Sequence, residues 1–241
     1  MSVFSFLRIL VLNTACFVDG YNFYYGLLNN THYKWLKLRQ LMENLLYIQD
    51  PSFSLENITY FTSPIKPDLA RRGICSDEAQ KTYLRALKTS NINIIMGRHK
   101  LEKAKAPIFV EGQKADRNNS CEIWLLEEKE TDVNVALHMY RTALLESKKP
   151  SDDPSKIHQI VLVSGDTDMT PALKMIREDF PAMKIGLIFP QRENLKRTPP
   201  GSLINLADWS RKVVKEDELI RNQFPDRIPT KKKPIVKPNY W

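Results

Sequence analysis

The chain has 241 residues, of which 42% are hydrophobic and 27% charged, and its formal net charge is +8. This balance is typical of a globular protein and excludes a wholly disordered or fibrous chain. No apolar run reaches the roughly 20 residues that a membrane helix needs. The 3 cysteines are far apart and form no CxxC pair, which indicates reduced thiols and a cytoplasmic protein. The positive charge favours an anionic partner.

The first half of the chain predicts strands that alternate with helices. Residues 1–14 are apolar but lack the charged start of a signal peptide, so they are interpreted as an N-terminal extension. Short apolar runs predict strands, and leucines or alanines at helical spacing predict helices. The predicted elements in order are strand Ala15–Asp19, helix Trp35–Ile48, strand Asn57–Thr62, helix Ser76–Lys88 and strand Asn91–Met96.

The second half begins with an irregular stretch, residues 97–120, which is interpreted as a surface loop or a short β excursion. A strong helix follows at Thr131–Leu145, with Thr131 as its expected N-cap. Gln159–Ser164 is almost entirely apolar, the pattern of a strand covered on both faces. Another helix is expected after Thr170, and Lys184–Phe189 is the fifth predicted strand.

Alternating strands and helices predict an α/β fold with a central, mainly parallel sheet that has helices on both faces. The predicted domain covers residues 15–224. Residues 225–241 form a basic tail rich in proline and lysine, for which little regular structure is expected.

Acidic residues follow two of the predicted strands and open the long helix. Asp19 ends the first strand, Asp166 and Asp168 follow the fourth, and Asp132 lies in the first turn of the helix. In open parallel sheets, ligands bind beyond the carboxyl ends of the strands. Crowded carboxylates repel one another, and a hard divalent cation such as Mg²⁺ or Mn²⁺ relieves the repulsion. Each acid also has an ordinary alternative as a turn or helix-cap residue.

Three segments resemble the conserved blocks of NYN domains, PIN-like proteins of the LabA/DUF88 kind. The segments are FVDGYNFYYG (Phe17–Gly26), EEKETDVNVALHM (Glu127–Met139) and VLVSGDTDMTPAL (Val161–Leu173), and they occur in the order found in the family. The resemblance continues toward Ile228, as in the subgroup called NicB-like. It implies a PIN-like three-layer α/β/α sandwich and a metal-dependent ribonuclease, a hydrolase that cuts single-stranded RNA rather than duplex.

The resemblance also implies roles for individual residues. The four aspartates would bind Mg²⁺ or Mn²⁺, directly or through water, and activate a water molecule. Asn22 would orient a ligand or the scissile phosphate. One departure is that Glu130 stands where many members have glycine. The expected catalytic residues are Asp19, Asn22, Asp132, Asp166 and Asp168, with Glu128, Ser164 and Gly165 in supporting positions.

Two alternatives stand beside the ribonuclease. The NicB-like subgroup takes its name from a member assigned to hydroxylation of a pyridine compound, which makes a monooxygenase the first alternative. Against it, the sequence has no GxGxxG loop for a flavin and no His–carboxylate cluster spaced for iron. The second alternative is an RNA-binding regulator without catalytic activity.

Basic residues supply the candidate contacts for RNA. Lysine and arginine near an acidic metal centre are typical of proteins that bind a polyanion through its backbone. Tyr24, Tyr25 and Trp35 could stack unpaired bases. A homo-oligomer is also compatible with the sequence. The expected phosphate contacts are Arg71, Arg72, Arg98, Lys100, Lys103 and Lys105.

Overall fold

A six-stranded parallel sheet forms the centre of the protein. The computed structural model describes residues 11–194 and 197–241. The strand order in the sheet is β3-β2-β1-β6-β7-β8, which confirms the predicted α/β class. In chain order the strands of this sheet are β1 (Leu12–Asp19), β2 (Phe53–Thr62), β3 (Ile92–Met96), β6 (Gln159–Val163), β7 (Lys184–Ile188) and β8 (Trp209–Arg211).

Helices cover both faces of the sheet and complete three layers. One face packs against α2 and α3, and the other against α4 and α5. A π-helical turn, Tyr24–Leu28, follows α1, and short 3₁₀ helices form at Pro67–Leu69 and Thr167–Met169. The α-helices are α1 (Gly20–Phe23), α2 (Leu38–Gln49), α3 (Ile74–Thr89), α4 (Thr131–Ser147), α5 (Thr170–Asp179), α6 (Gly201–Ile204) and α7 (Glu216–Arg221).

Alternation along β1 explains why the sheet has a core on each face. Successive side chains of a strand point to opposite faces. Cys16 and Val18 therefore pack in the core beneath α2 and α3, whereas Ala15 and Phe17 pack in the core beneath α4 and α5. All eight residues of β1 are buried. A strand buried on both faces is expected to be apolar throughout, as the sequence of β1 largely is.

The stretch interpreted as a surface loop or a short β excursion, residues 97–120, contains the first strand of a long β-ribbon and the connection to its second strand. The two antiparallel strands of the ribbon are β4 (Arg98–Pro107) and β5 (Ser120–Lys129). The ribbon is separate from the central sheet. Along β4 the partly covered side chains, His99, Glu102, Ala104 and Ala106, are separated by exposed residues that include three lysines. This composition hides the period-2 pattern from which strands are predicted.

The C-terminal tail is more ordered than predicted. Two short strands, β9 (Arg227–Ile228) and β10 (Ile235–Val236), pair within it. Ile228 and Ile235 are buried in the core beneath α2 and α3, and Trp241 packs against that core. The sequence did not indicate this packing, because these apolar residues are spaced among lysines and prolines and the core they enter is built from distant parts of the chain.

The N-terminal boundary lies earlier than the sequence suggested. β1 begins at Leu12 rather than Ala15. The predicted extension over residues 1–14 therefore falls mostly outside the described residues. Within the described part of the chain, no helix is both long enough and apolar enough to cross a membrane.

Candidate functional site

The candidate site lies where the strand order of the sheet reverses. β1 pairs with β2 on one side and with β6 on the other, and all three are parallel. Their carboxyl ends therefore meet at one edge, and connections from β1 and β6 leave in opposite directions. Such a switch point opens a crevice that binds ligands in α/β proteins. Asp19 ends β1, and Ser164 directly follows β6.

Asp19 is held by four hydrogen bonds. Its Oδ1 accepts from the backbone amides of Tyr21 and Asn22 at 3.1 and 3.0 Å. Its Oδ2 accepts from the side-chain amide of Asn22 at 2.7 Å and from the hydroxyl of Ser164 at 2.8 Å. These donors fill about four lone-pair sites, the full capacity of a carboxylate. Asp19 therefore reaches a cation through water, or directly only after Asn22 or Ser164 turns away.

The loop after β6 aims the second acid. Ser164 links the two strands, because its hydroxyl donates to Asp19 and accepts from the backbone amide of Asp166 at 3.1 Å. Asp166 precedes the 3₁₀ helix, and its Oδ1 accepts from the backbone amide of Asp168 at 3.0 Å. The other oxygen of Asp166 has no protein donor among the described residues. That oxygen is available to bind a ligand.

The third acid, Asp132, lies in the first turn of α4. The residue before the helix, Glu130, has φ of +77°, the left-handed conformation that favours glycine. This explains physically why glycine suits that position. The N-cap is Glu130 rather than the predicted Thr131, and the Thr131 hydroxyl instead donates to Glu128 at 2.6 Å. Glu128 thus supports the start of α4.

Three of the predicted metal ligands come together. Asp19, Asp132 and Asp166 each offer an oxygen atom, and these atoms lie within 4.8 Å of one another. The three acids, called here the carboxylate cluster, can hold a metal ion. Asp168 is outside this group, although its charge is close enough to affect Asp132. Its role as a ligand stays a prediction.

Burial and mutual repulsion raise the pKa of two members of the carboxylate cluster. The pKa of Asp19 is raised mainly by burial, against the opposing effect of its hydrogen bonds. The pKa of Asp132 is raised from 3.8 to about 6 by partial desolvation and by the charges of Asp19, Asp166, Glu128 and Asp168. A bound cation would remove this repulsion, so the cluster is electrostatically suited to one.

The raised pKa of Asp132 predicts how the stability of the metal-free protein depends on pH. Because the pKa of Asp132 is higher in the folded than in the unfolded protein, protonation of Asp132 stabilises the fold. This stabilisation is complete below pH 3.8 and is lost as pH rises through about 6. We expect Asp132→Asn to remove this loss, so that in EDTA the variant melts about 2–4 °C above wild type at pH 7.5. This corresponds to about 1 kcal/mol, a value reduced for the solvent exposure of Asp132.

The measurement is thermal unfolding in EDTA between pH 4.5 and 7.5. Asp152→Asn is the matched control, because Asp152 is exposed in the loop that enters the amino end of β6, away from the site. The control should follow wild type at every pH. A melting-temperature difference for Asp132→Asn that does not grow across pH 6 would contradict the assignment.

A cleft of about 920 Å³ opens beside the carboxylate cluster. All three acids line it, together with Asn22 and Glu128. Its walls are rich in aromatic rings. The tyrosines and tryptophan that line it are Tyr21, Tyr24, Tyr25, Tyr60, Tyr83, Tyr240 and Trp241.

Several of these lining residues were not identified from the sequence. Tyr60 lies two residues before the end of β2, a position that the rule about strand ends would have included. Tyr240 and Trp241 come from the tail, and no local pattern links them to the site. By contrast Trp35, expected to stack bases, is fully buried, and its indole NH donates to the carbonyl of Pro225 at 2.8 Å.

The predicted phosphate contacts fall into two places. Arg71 and Arg72 line the cleft, whereas the others lie on β4 of the ribbon. Arg98 pairs with Glu130 beside the site. Lys103 lies over the ring of Trp124, 5.8 Å from its centroid. A role for any of them in binding RNA stays a prediction.

Fold and site together define an α/β/α protein with a carboxylate cluster, able to hold a metal ion, at one end of an aromatic cleft. The chain is 34% identical over 247 residues to 6-hydroxy-3-succinoylpyridine 3-monooxygenase HspA of Pseudomonas putida (strain DSM 28022 / S16), covering 95% of this chain and 75% of that protein. The chain therefore belongs to the family of this monooxygenase.

Two further comparisons add no functional information. No protein-family profile matches the chain, so the resemblance to NYN domains stays a prediction. A crystal structure of a protein of unknown function from Vibrio parahaemolyticus RIMD 2210633 is similar with a TM-score of 0.46 and 15% identity, over 86% of this chain and 94% of that one.

The family relationship overturns the prediction of a metal-dependent ribonuclease. The relative is named a monooxygenase, an oxidoreductase, and not a nuclease or any other hydrolase. The prediction failed because clustered carboxylates indicate a cation and not the reaction performed beside it; chemistry depends on the whole site. The relationship favours the alternative of pyridine hydroxylation.

Proposed function

We propose that this protein is a monooxygenase that inserts oxygen into a hydroxylated pyridine ring. The observation that carries the proposal is the relationship to HspA over nearly the whole chain. In such a reaction, O₂ supplies one oxygen atom to the ring and the other leaves as water. Carbon 3 of 6-hydroxy-3-succinoylpyridine carries the succinoyl group, so oxidation there forms a C–O bond and breaks the C–C bond to that group. With the acyl group released as an aldehyde, the balance requires four protons and four electrons from an external donor, two molecules of a reduced nicotinamide or of a reduced flavin.

The cleft suits a substrate of this class. Its volume of about 920 Å³ is within the range of roughly 300–1,000 Å³ that is usual for small-molecule sites. Tyr24 and Tyr25 line one part of it, and Tyr60 and Tyr83 another. Such walls can stack on a flat heteroaromatic ring. The carboxylate cluster supplies polar groups that can orient a ring hydroxyl.

The name of the relative indicates what that hydroxyl contributes. In 6-hydroxy-3-succinoylpyridine the hydroxyl-bearing carbon is para to the carbon that a 3-monooxygenase oxidises. Loss of the hydroxyl proton increases electron density at the para position and so favours attack by an oxygen electrophile there. Three carboxylates alone would disfavour a second anion beside them. An ionised hydroxyl at this end of the cleft therefore requires a cation.

We propose Mg²⁺ or Mn²⁺ as that cation, since the donors are hard carboxylate oxygens. When bound, such an ion lowers the pKa of a hydroxyl group that binds to it. Asp132 and Asp166 would hold it directly, because each has an oxygen facing the cleft. Asp19, saturated by its four donors, would act through water and contribute its fixed negative charge.

The test is oxygen incorporation by the purified full chain. The assay contains 6-hydroxy-3-succinoylpyridine, isotopically labelled O₂ and reduced nicotinamide, with and without added flavin. It is run with Mg²⁺, Mn²⁺ or EDTA. We expect oxygen uptake that depends on the pyridine, one labelled atom in the product, and loss of activity in EDTA. Reactions without the pyridine measure uncoupled oxygen consumption. A product without label, or no pyridine-dependent uptake under any of these conditions, would refute the proposal.

A further inference from the structure

The lining of the cleft also carries a group of positive charges. Lys34, Arg71 and Arg72 all line the cleft. None of them takes part in the ion pairs found within the described ranges, 11–194 and 197–241. These three residues are called here the basic cluster. Cations that face a cleft without a carboxylate partner form a site that attracts an anion.

The members of the basic cluster are close enough to repel one another. The pKa of Lys34 is lowered first by partial burial and then by the charges of Arg72 and Arg71. A bound anion would offset the repulsion. The protein therefore maintains three cations together although their proximity is unfavourable without a ligand.

The tail holds part of the basic cluster in place. The Arg72 guanidinium lies over the ring of Tyr240, 4.6 Å from its centroid. The Tyr240 hydroxyl donates to the carbonyl of Cys75 at 2.7 Å. Trp241 packs against Tyr83 and Trp35, with ring centroids 5.7 and 6.2 Å apart. Because these contacts order the segment, Arg72 is oriented before a ligand arrives, which reduces the entropy cost of binding.

We infer that the basic cluster binds a carboxylate on the side chain of the aromatic substrate. This inference rests on the proposed function and names a substrate feature: a ring that carries a flexible anionic side chain. The cleft is lined by both the basic cluster and the carboxylate cluster, so a carboxylate is attracted to the former and repelled by Asp19, Asp132 and Asp166. The ring hydroxyl is thereby directed to the carboxylate cluster, and the reversed orientation is excluded.

The test compares an acid with its uncharged ester. The probes are 4-oxo-4-phenylbutanoate, an aryl keto acid without the ring hydroxyl, and its methyl ester, with Kd measured by calorimetry. We expect wild type to bind the acid at least about 10-fold more tightly than the ester, the effect of one charge-assisted hydrogen bond. The double variant Arg71→Gln/Arg72→Gln should bind the two probes equally. Arg85→Gln, a change at an exposed arginine on α3 outside the cleft, is the matched control and should behave as wild type.

Kinetics provide a second readout. For 6-hydroxy-3-succinoylpyridine, the double variant should raise KM about 10-fold or more while kcat changes little. Equal binding of acid and ester by wild type, or unchanged discrimination in the double variant, would overturn the basic-cluster assignment. The binding test needs no turnover. Charge-dependent binding without oxygen uptake would therefore refute the monooxygenase alone, whereas turnover without charge-dependent binding would refute the basic cluster alone.

Discussion

Asp166→Asn is expected to lower pyridine hydroxylation at least about 100-fold without unfolding the protein. Asp166 is the member of the carboxylate cluster with one oxygen engaged by the protein and the other available. A neutral amide binds a hard cation far more weakly than a carboxylate does. Losing a ligand costs at least as much as the roughly 10–100-fold that is typical when a residue hydrogen-bonded to a metal ligand is replaced. Thermal stabilisation by Mn²⁺ should disappear together with activity.

The fold should tolerate this substitution. Asn and Asp have the same shape, and the amide oxygen of Asn can still accept from the backbone amide of residue 168. The NH₂ group then occupies the position of the available carboxylate oxygen, where it can donate to Asp132. Repulsion is replaced by attraction, so the metal-free variant should melt at the same temperature as wild type or higher.

Asp152→Asn is again the matched control, with activity and Mn²⁺ response expected to equal those of wild type. Activity and thermal unfolding with and without Mn²⁺ are measured on both variants. Asp166→Asn with wild-type turnover would remove the carboxylate cluster from the mechanism. A fall of several degrees in the melting temperature of metal-free Asp166→Asn would mean that Asp166 has a structural role instead.

The parts of the site that the sequence predicted depend on local patterns. β1 and β6 are short apolar runs that end in polar residues, and the rule that parallel strands meet at their carboxyl ends places Asp19 and Asp166 together. The position of Asp132 was predicted because it lies in the first turn of a long amphipathic helix. Each step uses only neighbouring residues, and the structure brings these three acids within 4.8 Å.

The parts that were missed depend on contacts between distant residues. Tyr240 donates a hydrogen bond to the carbonyl of Cys75, 165 positions earlier in the chain. Lys34 comes close to Arg71 and Arg72 only when the chain folds. No periodicity reports such contacts. The sequence predicted the β-ribbon only as a short β excursion, given as an alternative to a loop, because its exposed strands mix charged and apolar residues without a regular apolar period.

The error in function has the same physical origin. Carboxylates at a switch point can hold a cation whether that cation assists phosphodiester cleavage or the ionisation of a ring hydroxyl. What distinguishes these reactions is the rest of the cleft, here its aromatic walls and the basic cluster. Those walls include residues from the tail, whose position no local pattern indicates. The sequence therefore indicated the ion site but not the ligand that the rest of the cleft suits.

Gly26→Ala is expected to destabilise the fold by about 3 kcal/mol or more. Gly26 lies in the π-helical turn Tyr24–Leu28, which carries two of the tyrosines of the cleft wall. A Cβ atom there would be 1.6 Å from the carbonyl oxygen of Pro190 and 2.8 Å from its carbonyl carbon. Both obstacles are backbone atoms after β7, so the clash is relieved only by moving the turn or the strand end. Overpacking of this kind typically costs 1–3 kcal/mol, and more where backbone must move.

The measurement is thermal and urea unfolding of the metal-free protein. A loss of about 3 kcal/mol lowers the melting temperature by about 6–12 °C for a domain of this size. Gly201→Ala is the matched control: it makes the same chemical change in α6, where an added Cβ meets no atom within 4 Å, so its effect should stay within about 0.5 kcal/mol. If the two variants have the same melting temperature, the turn does not approach Pro190 this closely. The part of the cleft wall formed by Tyr24 and Tyr25 is then not anchored through β7. If only Gly26→Ala falls, the wall depends on that anchor, and substrate affinity measured well below the melting temperature should fall with it, because Tyr24 and Tyr25 shift with the turn.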